Sequence, residues 1–331
     1  LLRPGANPDP LRLASLPFDP GDAMDVGDGQ WRITASLNYV NLWHHTWHTV
    51  AYHRELGRVG LALSSQELAS LAARYPDEHY QFLDVEGWWT SLWVQRGLGR
   101  GVTATLRVPY VEIGRPHWDG VAEVWHEKLG LPDFDRHEFP RGQTLVYIKG
   151  PAGIVERRDL ARSGLGDVGL SVAIPAGRWL GAQHRAVLAV EAPTGRRDTL
   201  HGSGGWDAGV RLLSRWEGQR LAALTGLGYT WPSPSGSLLG LERSEVWHTM
   251  AGIDWRLWRG LLVTVRLQVE RALLAEAAGD RLSKVTLSKR FGVAAPMTSG
   301  MWLAFDLGQD SLRNGIAPDY SFHLTVGTGP R

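Results

Sequence analysis

The densest concentration of chemically capable side chains is Trp43-His44-His45-Thr46-Trp47-His48, followed by His53. Imidazoles at this spacing can share a metal ion, His44 and His48 in particular if the stretch is helical. No acidic residue or cysteine falls between them, and a membrane rim also selects Trp and His, so no metal or cofactor is expected. A second chemistry, a Ser-His-Asp hydrolase, would need His248 or His323 beside a nucleophile. Neither lies in a context such as Gly-x-Ser-x-Gly, so no catalytic residue is assigned and the chain is not expected to be an enzyme. The absence of cysteine removes thiolate sites, cysteine nucleophiles and disulfides. A net charge of +1 with 21% charged residues offers no basic face for nucleic acid and no tract that would stay disordered.

The residues that remain informative are charged ones on alternating segments. Sixteen Trp and 40 Gly occur in a chain that is 43% hydrophobic yet slightly negative in mean hydropathy. That combination results when apolar and polar side chains alternate instead of clustering. Nowhere do 18 uncharged apolar residues run together, which excludes a transmembrane helix. The polar start Leu1-Leu-Arg-Pro cannot be a signal peptide, so an exported protein would be in its mature form.

Alternation recurs in segments of roughly ten residues, the length of a tilted transmembrane strand. Val102, Ala104, Leu106, Val108 and Tyr110 alternate with Thr103, Thr105 and Arg107. Trp206, Ala208, Val210 and Leu212 alternate with Asp207, Gly209 and Arg211. Trp247 and Trp255 share a face with Thr249, Ala251 and Ile253. Eight residues at about 3.4 Å, tilted some 40°, rise roughly 20 Å, close to the ~25 Å apolar band between two aromatic girdles.

Twelve strands are expected, near 30–42, 80–94, 100–112, 166–176, 184–193, 205–216, 219–230, 245–256, 260–271, 281–291, 299–308 and 318–327. Short and long connections alternate between them. The fold expected is therefore an all-β transmembrane barrel, antiparallel and up-and-down, with residues 1–28 as a periplasmic segment or plug and 29–331 as the barrel. A hairpin at 144–157 belongs to the second long loop; if it entered the wall the count would be fourteen. Helical spacing appears at 65–74, with Ser64 or Ser65 to cap it and Pro76 to stop it, and again at 119–129. Both fall in long external loops, 43–79 and 113–165.

The strand faces divide into two candidate sets. Asp84, Glu86, Arg107, Glu191, Asp207, Arg211, Asp254, Arg266, Glu270, Lys284 and Asp306 are the expected lumen lining. Trp89, Trp93, Trp206, Trp247, Trp255, Tyr320 and Phe322 are the expected membrane girdle.

Gly164-Leu-Gly-Asp167, Glu191-Ala-Pro-Thr-Gly195 and Gly202-Ser-Gly-Gly-Trp-Asp207 follow one another as in several outer-membrane barrel families. Taken with Gly29-Gln-Trp-Arg-Ile, Leu129-Gly-Leu-Pro-Asp-Phe and Ala317-Pro-Asp-Tyr-Ser-Phe, the chain resembles an uncharacterised outer-membrane family known only as a domain of unknown function. The resemblance implies a barrel in the outer membrane of a Gram-negative-type bacterium and brings no reaction with it. Such barrels commonly finish on an aromatic residue, whereas this sequence finishes Gly-Pro-Arg331.

From the architecture, the leading expectation is a passive or gated channel for small hydrophilic solutes, with both termini periplasmic. The alternative is a structural or docking barrel that holds another envelope assembly through loops 43–79 and 113–165. Transport of an apolar molecule through a lateral opening is a third, which the charged strand faces disfavour. Lipid and lipopolysaccharide are the surroundings expected in every case.

Overall fold

The computed structural model describes residues 16–19, 21, 25–114, 120, 123–124, 127–128, 135–151, 153–160, 162–271, 274, 285–297, 300–310 and 320–328. Twelve antiparallel strands close a ring: β1 (Trp31–His45), β2 (Tyr80–Gly99), β3 (Val102–Ile113), β7 (Val168–Trp179), β8 (Ala182–Ala192), β9 (Asp207–Glu217), β10 (Leu221–Pro232), β13 (Val246–Arg256), β14 (Leu262–Glu270), β15 (Thr286–Pro296), β16 (Met301–Asp310) and β17 (Tyr320–Thr328). Each pairs with the next, and β17 returns to β1 with Thr34 opposite Gly327 and Asn41 opposite Tyr320. Closure leaves no edge, so lateral pairing satisfies the backbone polar groups that lipid cannot.

The hairpin of β4 (Leu145–Gly150) and β5 (Gly153–Arg157) does not enter this wall. Among the described residues its one pairing with a wall strand is that of β4 with Tyr80–Asp84 of β2, ahead of Gly87, where β3 takes over. The count is twelve because the β2–β3 contact completes the ring. A short β6 (Arg162–Leu165) likewise extends β3, and β11 (Ser237–Leu238) with β12 (Leu241–Glu242) forms a separate small ladder.

Tight hairpins join the strands at one end. Arg100-Gly101, Leu180-Gly181 and Arg259-Gly260 each place both residues at positive φ. Such turns twist with the strands they connect, and glycine at the second position removes half of the steric cost. The outward face between the two rims is apolar: Leu106, Leu170, Leu188, Leu227, Ile253, Leu267, Phe305 and Leu324 remain 41–62% exposed. An apolar band that encircles the molecule is suited to lipid, not water.

At the long-loop end, β1 and β2 rise beyond the ring and carry a folded cap. Helices α1 (Trp47–Glu55) and α2 (Ser65–Arg74) pack with the β4 hairpin around Trp43, Leu68, Leu71, Phe82, Phe139, Leu145 and Tyr147. α2 begins where its sequence requires, because Ser64 and Glu67 form a capping box. The helix expected at 119–129 lies largely outside the described residues.

Bonds donated by the backbone N–H and the hydroxyl of Ser64 hold the Glu67 carboxyl below the ordinary carboxylate range. A depressed acid stabilises above its unfolded pKa, and that contribution is lost as pH falls through the folded one. Amide protection of α2, corrected for intrinsic exchange, should therefore fall on acidification, and Glu67→Gln should flatten that dependence. Ser64→Ala should weaken the α2 amides by about 1 kcal/mol at neutral pH.

Candidate functional site

Each wall strand turns alternate residues toward the barrel axis, where they are buried while their neighbours are not: Thr105 against Leu106, Arg211 against Leu212, Asp254 against Trp255. Charges of both signs meet here, often across a glycine. Arg107 and Glu191 are both register partners of Gly169, and with no side chain between them they form an ion pair over β7. Thr264 and Asp306 flank Gly292 in the same way, 3.5 Å apart. Arg266 pairs with Asp254, which also lies 3.6 Å from Arg215. Glu270 lies 2.7 Å from His248 Nδ1 and accepts a 2.8 Å bond from Gln268. A buried charge is tolerable only beside such a partner.

Part of the chain's own beginning fills the remaining space. Asp28 bridges to Gly97 at the short-turn end, and the Val26 N–H donates to Thr103 Oγ1. Gln95 donates to the Gly21 carbonyl at 3.0 Å. Further along the axis Arg211 donates to the Pro17 carbonyl, and Thr230 Oγ1 donates to that of Leu16. Phe18 is fully buried among Ala173, Val187, Leu213, Leu224 and Met250. The segment thus enters at the short-turn end and runs up the lumen.

Toward the long-loop end the interior changes character. Inward Val40, Leu42, Val85, Trp89, Val111, Ile113 and Val246 pack with Leu200, Leu238, Leu239 and Leu241 from the loops. Arg243, reaching in from the loop before β13, forks onto Asp207 with bonds of 2.7 and 2.8 Å, and both side chains are almost wholly buried. A bidentate pair of this kind fixes orientation as well as position. Asp167 accepts from the N–H groups of Gly195 and Ser203 at 2.8 and 2.7 Å. Burial pushes its carboxyl up while those bonds draw it down. Thr194 donates to the Gly166 carbonyl. The three Gly-rich motifs are therefore one hydrogen-bonded unit that folds the 193–206 loop inward.

Of the expected lumen set, Arg107, Glu191, Asp207, Arg211, Asp254, Arg266, Glu270 and Asp306 occupy inward positions, and Lys284 lies outside the described residues. Asp84 and Glu86 do not line the lumen. They share the outward face of β2 and are buried by what covers it: Arg136 lies 4.0 Å from Asp84 and donates to Asn41, while Tyr39 donates to Glu86. Trp89 and Trp93 are correspondingly not girdle residues; they are buried on the inward face with Ser91 and Gln95, whereas Leu92 and Leu98 face out. Alternation on β2 separates oily from acidic correctly, but there the oily face points in.

Trp206 and Trp247 are exposed at the long-loop rim and Trp255 at the other. Tyr320 and Phe322 share the outward face with Tyr39, Tyr320 buried against it. The sequence reading missed Trp31, Trp179, Trp231 and Trp258, which are exposed at the rims beside strand ends. It also missed Arg243, Phe18 and the pair Gly226 and Gly228, whose spacing of two within a strand is itself a signal of close approach.

The histidine-rich loop disperses its imidazoles. His48 pairs with Glu78, His45 lies 4.0 Å from Asp135, and His53 stacks on Phe139 with Nε2 2.8 Å from the Leu61 carbonyl. Among the described residues no three His, Asp or Glu side chains are grouped to hold a metal ion. His323 lies 3.0 Å from Ser321 Oγ through Nε2 and 2.7 Å from Asn38 Oδ1 through Nδ1. That outlines a nucleophile, base and orienting group. All three side chains are buried on the inward face, where such contacts satisfy polar groups cut off from solvent.

A profile of the family described as "Protein of unknown function (DUF3187)" matches residues 58–329. No curated protein sequence matches significantly. Among solved structures, the COG4313 outer membrane channel of Pseudomonas putida F1 is similar with a TM-score of 0.58 at 14% identity, covering 94% of this chain and 99% of that one. The NanC porin follows with a TM-score of 0.46 at 11% identity, over 74% and 94% of the two chains. The fold is that of outer-membrane barrels.

Asp207→Ala would remove the carboxylate that Arg243 grips and should cost about 3–5 kcal/mol, read as a lower denaturant midpoint in detergent. Replacing both residues, Asp207→Leu with Arg243→Met, should recover most of that loss. A double variant as unstable as the single one would show that the pair is not the anchor.

Proposed function

The chain belongs to the family described as protein of unknown function DUF3187, and on that premise we propose that it is a gated channel of the outer membrane for small polar solutes, closed in this conformation by its own N-terminal segment. One observation carries the proposal. A barrel of twelve strands turns Arg107, Arg211, Arg266, Glu191, Asp254 and Glu270 to its axis, and the space they surround is occupied by chain that is not part of the wall. A barrel without a conducting role has little reason to keep a charged interior, since apolar packing would serve stability at least as well. Charged walls aimed at a removable occupant are suited instead to water and solute once the occupant leaves. The short-turn end and the segment's entry are then periplasmic, and the cap with its folded loops faces outward.

The cap supports a second role. Its own core, built from α1, α2 and the β4 hairpin, is more structure than a loop needs in order to close a pore, and it offers a rigid surface to another envelope component.

Planar-bilayer recordings test the channel directly. The full-length chain should be largely silent or open only briefly, and a chain lacking residues 1–28 should conduct steadily. Silence in both forms would overturn the channel reading and leave the cap as the working part.

A further inference from the structure

Phe18 does not merely fill space; it sits in a slot built for a planar ring. Arg211, Gly228 and His248 are register neighbours across β9, β10 and β13, and Leu213, Gly226 and Met250 form the adjacent row. The two glycines make a floor without side chains. A Cβ on Gly226 would come within 2.6 Å of Phe18 Cζ, and one on Gly228 within 2.9 Å of its Cδ2. The His248 imidazole lies parallel to the phenyl ring, with centroids 5.5 Å apart and planes 11° from parallel. The Arg211 guanidinium carbon is 5.7 Å from the ring centre. Aromatic rings favour both offset stacking and a cation near the face.

The polar contacts are equally specific. Arg211 and Thr230 donate to the consecutive carbonyls of Pro17 and Leu16, so acceptor oxygens are held beside the ring. His248 is itself placed from both sides, by Glu270 at 2.7 Å and by Thr230 at 3.2 Å. Glycine floor, stacking imidazole and guanidinium form one recognition surface: a flat ring carrying anionic or strongly accepting oxygen at its edge. We infer that, in the channel proposed above, this slot is a binding site for small aromatic carboxylates, and that Phe18 with its neighbouring carbonyls occupies it as a built-in mimic. The segment and the solute then compete for the same place, so a solute that binds only the vacated slot favours release of the segment by mass action, increasingly as its concentration exceeds its dissociation constant.

The test uses the full-length chain in detergent, where binding is read without any need for conduction. Phe18→Ala empties the slot and leaves the wall intact. Benzoate should bind this variant saturably by calorimetry, at least about tenfold more tightly than it binds the parent chain, a factor worth about 1.4 kcal/mol. Acetate, which has the carboxylate without the ring, should bind at least about tenfold more weakly than benzoate. Adding Gly226→Val to Phe18→Ala should abolish benzoate binding by filling the floor. Equal affinity for acetate and benzoate, or benzoate binding that survives Gly226→Val, would overturn the site.

A second measurement does not depend on the folding of that variant. The chain has no cysteine, so Leu16→Cys introduces a single thiol at a buried position of the segment. Benzoate should accelerate its labelling by displacing the segment, and acetate should not. An unchanged rate would mean that Phe18 is only an anchor. Because neither measurement reads current, a silent bilayer with positive binding would remove the channel and keep the site, and the opposite pattern would do the reverse.

Discussion

A sheet surrounded by hydrocarbon cannot leave an edge unpaired, and the rest of this structure follows from that constraint. The β1–β17 contact closes the ring, every wall strand acquires two neighbours, and one face of each is committed to lipid. Closure also fixes how much room the interior has. Twelve strands leave more space than their own side chains fill at every level, yet too little for long side chains to lie side by side without clashing. Glycines at inward positions resolve the conflict locally: Gly169 lets Arg107 reach Glu191, Gly292 lets Thr264 approach Asp306, and Gly226 with Gly228 admits Phe18.

The interior divides by chemistry along its axis. Its middle carries ion pairs, Arg107 with Glu191 and Arg266 with Asp254, beside the apolar cluster around Phe18. Its long-loop end is apolar, packed with leucines from loops that Asp207 and Asp167 fasten in place. The two regions differ in how they can change. Apolar packing under anchored loops resists partial opening, because withdrawing one leucine exposes several others. Among its described residues the N-terminal segment is held by the buried Phe18, by bonds to the carbonyls of Leu16, Pro17 and Gly21, by the Val26 N–H on Thr103 and by Asp25 beside Arg185.

The strand count, the alternation of short and long connections, the α2 helix with its Ser64 cap and most of the inward charges were legible in the sequence. Each depends on near neighbours in the chain: a period of two, a connection length, a capping box. Two turns lie further along than expected, because 95–99 belong to β2 and 292–296 to β15. Where inference went wrong, on Asp84, Glu86, Trp89 and Trp93, the alternation itself was real. At Asp84, Glu86 and Trp89 its sign reversed because the long-loop end of this barrel is apolar within and covered by the cap without, so the rule that oily residues face lipid no longer held; Trp93 continues the same inward face to the level of Thr34 and Arg107. Trp31, Trp179, Trp231 and Trp258 were passed over because each stands at a strand end, where alternation has too few residues to declare a face.

What the sequence alone determined, then, is a closed antiparallel barrel and the residues available to its two faces, since lipid on one side imposes a local periodicity that no other surrounding requires. The tertiary structure decided which of those residues meet. Arg243 finds Asp207, and Phe18 finds Arg211, His248 and the bare backbone of Gly226 and Gly228, across 36 and roughly 200 positions of chain. Contacts of that range leave no periodic trace, because they depend on the register of strands around a ring and on the path of a segment that belongs to none of them.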